Sequence, residues 1–246
     1  MKAIAALLVM SFIAGVVWAQ TDQPNAPNAS NEVIAEVLGK KLAATDKDNL
    51  NVLIFGALLE QFAKENRIEP TEEELDAFVL KTEEEERQHQ IKFTEDRNKL
   101  REELKVPTLS EKERKEKEVY LQTIESILKT ASEMKDQTRE MEEQLRPMKR
   151  QMAYQFVRQW KINKALYAQY GGRVIFQQAG LEPLDAYRDF LKEQEQKGAF
   201  QIFDKNVEAN FWRYFTNDAM HSFYSQDEGA KFINTPWWMM EELPDE

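Results

Sequence analysis

Apolar residues recur every three or four positions along most of this 246-residue chain, with charged residues between them, the pattern of helices that bury one face. The first such run, Leu50, Leu53, Ile54, Ala57, Leu58, Gln61 and Phe62, predicts a helix that opens on a Thr45/Asp48 cap and ends near Asn66. Pro70-Thr71-Glu72-Glu73-Glu74 starts a second, because the Thr71 hydroxyl can accept the N–H of Glu74 while that carboxylate reaches back to the N–H of Thr71. Leu75, Val79, Thr82, Glu86, His89, Phe93, Leu100 and Leu104 carry this helix to about Lys105, where Pro107 breaks it. Ser110 and Glu113 form another capping box, and Leu121, Ile124, Leu128, Ala131, Met134, Thr138, Met141 and Leu145 follow at close to heptad spacing. Pro147 disfavours helix at Arg146 and at least kinks the chain. Two helices of nearly matched length, folded back at Pro107, predict a long antiparallel helical hairpin arm over 71–146, on the order of 50 Å long at 1.5 Å per residue.

Beyond Pro147 the seam turns aromatic. Met148, Met152, Phe156, Trp160, Asn163, Leu166, Tyr167 and Tyr170 continue the helical spacing up to Gly171-Gly172. Gly180 and Pro183 bracket the start of the next helix, which runs through Leu184, Tyr187, Phe190 and Leu191 to a C-cap at Gly198. A further helix begins near Asp204 and carries Phe211, Trp212, Tyr214 and Phe215, and the stretch from Ser225 to Met240 reads as a loop with a dense aromatic patch. Val33–Gly39 fits a small strand or a single helical turn, and pattern does not separate the two. The predicted fold class is mainly α: one helical domain over 32–246 with the hairpin arm.

The N-terminus changes the picture of where the chain works. MKAIAALLVMSFIAGVVWA has one Lys, an apolar run of secretory length and Val17-Trp18-Ala19 before Gln20, which reads as a signal peptide over 1–19 cleaved after Ala19. The run is too short and its sequel too polar for a transmembrane anchor. Residues 20–31, rich in Pro and Asn, form a flexible leader, and the mature protein is expected to be periplasmic or secreted. The net charge of -11 opposes binding to nucleic acid, since the one Lys-rich stretch, Lys112–Lys117, alternates with Glu. The absence of Cys excludes disulfides, zinc-thiolate sites, thiol nucleophiles and lipidation at a mature N-terminal Cys.

In the order of its parts, Ile34–Phe78 resembles the N-terminal domain of SurA-type periplasmic chaperones, relatives of the parvulin foldases. The parts are a short apolar stretch closed by Gly-Lys (IAEVLGK), a helix with LLEQFAKEN, and RIEPTEEELDAF, an apolar residue followed by a capped, acid-rich helix start. The resemblance covers about a fifth of the chain. It implies ATP-independent holding of unfolded proteins. It does not carry isomerase activity, which would need a separate β-containing module with its own histidines, whereas this chain has only His89 and His221.

Chemistry-bearing patterns are sparse. Glu86 and His89 are spaced as in di-iron carboxylate bundles, and Asp218 and His221 repeat the spacing, but two further bridging acids are missing. Folding the hairpin at Pro107 sets Lys129 opposite Glu86, so an ion pair beside an interfacial His explains the same residues. Ser126 and Lys129 match Ser-x-x-Lys without its companion motifs, and no Ser, His and Asp suggest a triad. Neither enzyme activity nor a metal or other cofactor is expected. The expected function is chaperone-like binding of unfolded or outer-membrane client proteins through Phe211, Trp212, Tyr214, Phe215, Phe223, Trp237, Trp238, Met239 and Met240, because Met and aromatic side chains repack against many apolar partners. The rival readings are an envelope scaffold that assembles through the arm and a metal-binding helical bundle.

Overall fold

The computed structural model describes residues 32–135, 139–177 and 180–240. The processing site, the leader and the side chains of Met134, Thr138 and Met141 lie outside the described residues. Among the described residues the fold is mainly α, with seven α-helices and little sheet. In order the elements are β1 (Val33–Val37), β2 (Lys40–Ala43), α1 (Leu50–Glu65), α2 (Glu72–Glu103), α3 (Glu111–Lys135), α4 (Arg139–Tyr170), β3 (Ile175–Gln177), β4 (Gly180–Glu182), α5 (Leu184–Gln196), β5 (Phe200–Ile202), α6 (Lys205–Thr216) and α7 (Gln226–Asn234). Two compact units form: one from the described residues up to Leu59 with Leu191–Met220, the other from Glu60–Phe190 with His221–Met240.

In the first unit the open question at Val33–Gly39 resolves to a strand. β1 pairs antiparallel with β2 in the register Val37 to Lys40, leaving Leu38 and Gly39 as a two-residue turn with φ of 50° and 79°. Positive φ at both positions matches the right-handed twist of the strands, at a cost of about 1 kcal/mol for a Leu. β1 also pairs with β5, Ala35 opposite Ile202 and Val37 opposite Phe200, giving the sheet order β2-β1-β5. Sequence pattern missed β5 because three residues of alternation, with Phe200 and Ile202 buried and Gln201 exposed, are too few to declare a period of two. The Thr45/Asp48 cap does not form. Residues 44–49 make a 3₁₀ turn instead, in which the Asp46 carboxylate accepts the N–H of Ala43 at 2.8 Å, and α1 begins only at Leu50. α6 starts near Asp204 as expected, and that residue caps it, Asp204 Oδ1 accepting the N–H groups of Asn206 and Val207.

In the second unit α2 lies antiparallel to α3 and to α4. Glu103 pairs with Lys117, Arg101 with Glu125, Glu83 with Lys149, and Glu72 and Asp76 with Arg150, so partner numbers rise on one side as they fall on the other. Both capping boxes hold: Thr71 and Glu74 exchange hydrogen bonds at 3.3 and 2.7 Å, and Ser110 and Glu113 do the same at 3.3 and 3.1 Å. The Arg114 guanidinium donates to the carbonyls of Leu104 and Val106 around the Pro107 turn. α3 and α4 both return along α2, and α4 runs on through Pro147 to Tyr170 rather than ending at the proline. Pro147 is exposed, so the carbonyl its missing N–H leaves unbonded one turn earlier can face water. The stretch read as loop after Ser225 also holds α7, capped by Ser225 and Glu228, a Ser-x-x-Glu box that the aromatic patch obscured. β3 and β4 form a two-stranded ribbon before α5, likewise unforeseen.

Candidate functional site

Met148, Met152, Phe156 and Trp160 fall at i, i+4, i+8 and i+12 on α4, one face of the helix. The α2 seam meets that face through Leu75 and Phe78, which are buried with Ala153, Val157 and Trp238 in one apolar cluster; Val79, Met152, Trp160 and Trp237 pack around it. Phe78 is the centre of the arrangement. Its ring stacks on Phe156 at 5.5 Å and takes edge contacts from Trp237 at 5.6 Å and Trp238 at 5.1 Å, geometries that add to plain area burial. Pattern reading passed over Phe78 in favour of Val79; the signal available was its place three residues after Leu75.

The elements that build this cluster also carry apolar side chains open to solvent. Met148 is 53% exposed, Phe156 38% and Met239 60%, with Met152, Trp237 and Met240 half-buried between core and solvent. Ion pairs flank it, Lys149 with Glu83 at 2.6 Å and Lys161 with Glu74 at 2.7 Å, and the Tyr154 hydroxyl donates to Glu69 at 2.6 Å. The chemistry on offer is apolar contact with adaptable side chains inside a charged frame.

The nine residues expected at a client surface divide between the units. In the first, Phe211 and Phe215 are buried against each other at 5.6 Å, with Phe200 at 5.6 Å from Phe211 and Phe55 at 5.6 Å from Phe215; Trp212 and Tyr214 are half-buried beside them. In the second, Trp238 is buried, Trp237 and Met240 are half-buried, Met239 is exposed, and Phe223 is half-buried under the Arg173 guanidinium at 4.1 Å. Phe211, Phe215 and Trp238 thus act as core, because each fills space between helices. Met148, Met152 and Phe156 bring to the surface what those three cannot.

The patterns weighed for metal or catalysis do not assemble. Glu86 is half-buried, and burial raises its pKa while the nearby Lys149 cation lowers it. Lys149 stands where Lys129 was expected; Lys129 faces Glu133 on its own helix instead, because the pairing of α2 with α3 runs in a different register from a simple fold at Pro107. His89 lies 6.4 Å from the Phe93 ring. Asp218 sits in a short 3₁₀ turn, so Asp218 and His221 do not share a helix face. Ser126 and Lys129 are exposed on α3. No three His, Asp or Glu side chains converge among the described residues.

A second polar cluster is structural. Asp185 is buried and accepts from the Arg173 backbone and Nε at 2.8 Å each, and from Arg188 at 2.8 Å. Burial would raise its pKa, but the hydrogen bonds from Arg173 and the Arg188 charge hold it at about 2. Among the described residues no helix is long and apolar enough to cross a membrane. The chain matches no protein-family model, no curated protein and no solved structure.

Proposed function

We propose that this protein is an exported, ATP-independent chaperone that holds unfolded or outer-membrane proteins through the Met and aromatic surface of its second unit. The observation that carries the reading is that Met148, Phe156 and Met239 stay open on the same elements, α4 and the turn over 237–239, that supply Trp160, Trp237 and Trp238 to the aromatic cluster. Flexible thioethers beside aromatic rings accept many apolar segments without a fixed geometry, and the acidic chain keeps a loaded complex soluble. The signal-like first nineteen residues and the SurA-like order of Ile34–Phe78 support the same reading. Parvulin-type isomerisation is not part of it.

The test is aggregation of an unfolded outer-membrane protein, with the full chain at several-fold excess. The wild type should suppress it, and Met148→Ser/Met239→Ser, at two well-exposed side chains, should suppress it at least threefold less with an unchanged melting temperature. Failure of the wild type rules out the holdase reading. One observation favours a second reading: Leu80, Ile91 and Val119 are exposed on α2 and α3, as on a scaffold whose paired helices assemble with other copies. A concentration-dependent oligomer lost on Leu80→Glu/Ile91→Glu, together with no suppression, would establish that alternative.

A further inference from the structure

We propose that α2 pairs antiparallel with the α2 of a second copy of this chain, along the face opposite its buried seam. Leu75, Phe78, Phe93 and Leu100 bury one side of the helix. On the other side Leu80 and Ile91 stand 67% and 49% exposed, with Glu84 and Arg87 between them. Spacings of four, three and four residues keep these side chains on one stripe, within an arc of about 60° at 100° per residue. A single exposed Leu or Ile needs no explanation, but this stripe reads the same from either end. Turned end for end about the point between Glu85 and Glu86, the helix carries Leu80 onto Ile91 and Glu84 onto Arg87.

Two copies related by a two-fold axis at that point set Leu80 against the partner's Ile91, and Glu84 against the partner's Arg87, each twice. The match continues outward. Half-buried Ala77 falls on half-buried Thr94, and exposed Glu73 falls on exposed Asn98, so no like charges meet along the stripe. From Glu73 to Asn98 the spacing alternates between four and three throughout, which is a coiled-coil seam written on the solvent side of the helix. A parallel pair has no such complement, because it would lay Glu84 on Glu84 and Arg87 on Arg87. Within one chain Glu84 and Arg87 pair with each other at the surface. Dimerisation therefore exchanges that weak pair for two across the axis and strands no charge. The contact uses the same patch on both copies, so it closes at two and builds no filament. Such a dimer is compatible with a holdase and with a scaffold alike.

The test is sedimentation velocity on the full chain over a concentration series. The wild type should pass from monomer to dimer as concentration rises. Glu84→Arg and Arg87→Glu each set like charges across the axis and should each weaken the dimer at least tenfold, with helical circular dichroism unchanged. Glu84→Arg/Arg87→Glu should restore it to within threefold of the wild type. A wild type that stays monomeric up to millimolar concentration overturns the dimer, and a double variant as weak as the single ones overturns the register. Disulfide capture reads the register independently, since the chain has no Cys of its own. Leu80→Cys mixed with Ile91→Cys should cross-link under mild oxidation. Neither should do so alone, because the axis holds like positions about 16 Å apart, beyond the reach of a disulfide. Leu80→Cys that links to itself as readily as the mixture links overturns the antiparallel pairing. No client enters either assay, so the holdase reading can fail while the dimer stands, and the reverse.

Discussion

Asp185 concentrates more of the second unit's polar energetics than any residue the sequence singled out. It joins α5 to the turn after α4, and Gly172, at φ 92°, passes so close that a Cβ there would sit 2.4 Å from that of Asp185. Gly172→Ala is therefore expected to destabilise the fold, both by that overlap and by the left-handed backbone, visible as a lower melting temperature. With a folded pKa of about 2 against an ordinary 3.8, the carboxylate contributes about 2 kcal/mol at pH 7. Because the folded value is the lower one, this contribution is complete above the ordinary range and fades as pH falls through about 2. Asp185→Asn should cost about 2 to 3 kcal/mol in urea unfolding at pH 7, and the two proteins should converge near pH 2. Glu86 behaves in the opposite sense. Burial raises its folded pKa above 4.5, so it weakens the fold at neutral pH and ceases to do so below the unfolded value. Glu86→Gln should raise the melting temperature at pH 7 and make no difference at pH 4. Neither role was legible in the sequence, since Asp185 looks like an ordinary first-turn acid until Arg173 and Arg188 are seen to converge on it.

Helix ends were the most readable elements, because a cap is a local exchange of hydrogen bonds that neighbouring residues settle among themselves. Thr71, Ser110, Asp204 and Gly198 all do what their sequence context implies. The last of these closes α5 in a Schellman turn, Ala199 N–H to Gln194 O and Gly198 N–H to Glu195 O. α1 closes in the same way, Ile68 N–H to Ala63 O and Arg67 N–H to Lys64 O, yet the left-handed position is Arg67 at φ 54°. Arg67→Gly should therefore stabilise by roughly 1 kcal/mol, measurable as a shift in the urea midpoint. Pro147→Ala should stabilise too, by up to about 3 kcal/mol, by restoring a donor inside α4. An unchanged melting temperature there would mean that the helix bends around Pro147 at no cost. The short strands were not readable for the converse reason. β3, β4 and β5 are three residues each, and what makes them strands is a partner elsewhere in the chain.

At the scale of the whole molecule, the candidate surface was half visible beforehand: the Met and aromatic stripe on α4 announces itself by spacing. That Trp238, Phe211 and Phe215 belong to the core depends on which helices meet, which no local pattern records. Export is expected to leave a mature chain beginning at Gln20, and intact-mass measurement on secreted protein checks it; a retained Met1 would remove the compartment on which the chaperone reading relies. The central strand of the small sheet carries one more consequence. β1 finds β2 immediately but must wait for β5, Ala35 opposite Ile202, before its second edge is covered. A chain leaving a pore N-terminus first, as the proposed export implies, would present β1 long before β5, and closing so wide a loop is slow. Under the proposed export, β1 would stand with one bare edge until residues 200–202 arrive, and in that interval it would need guarding by another protein.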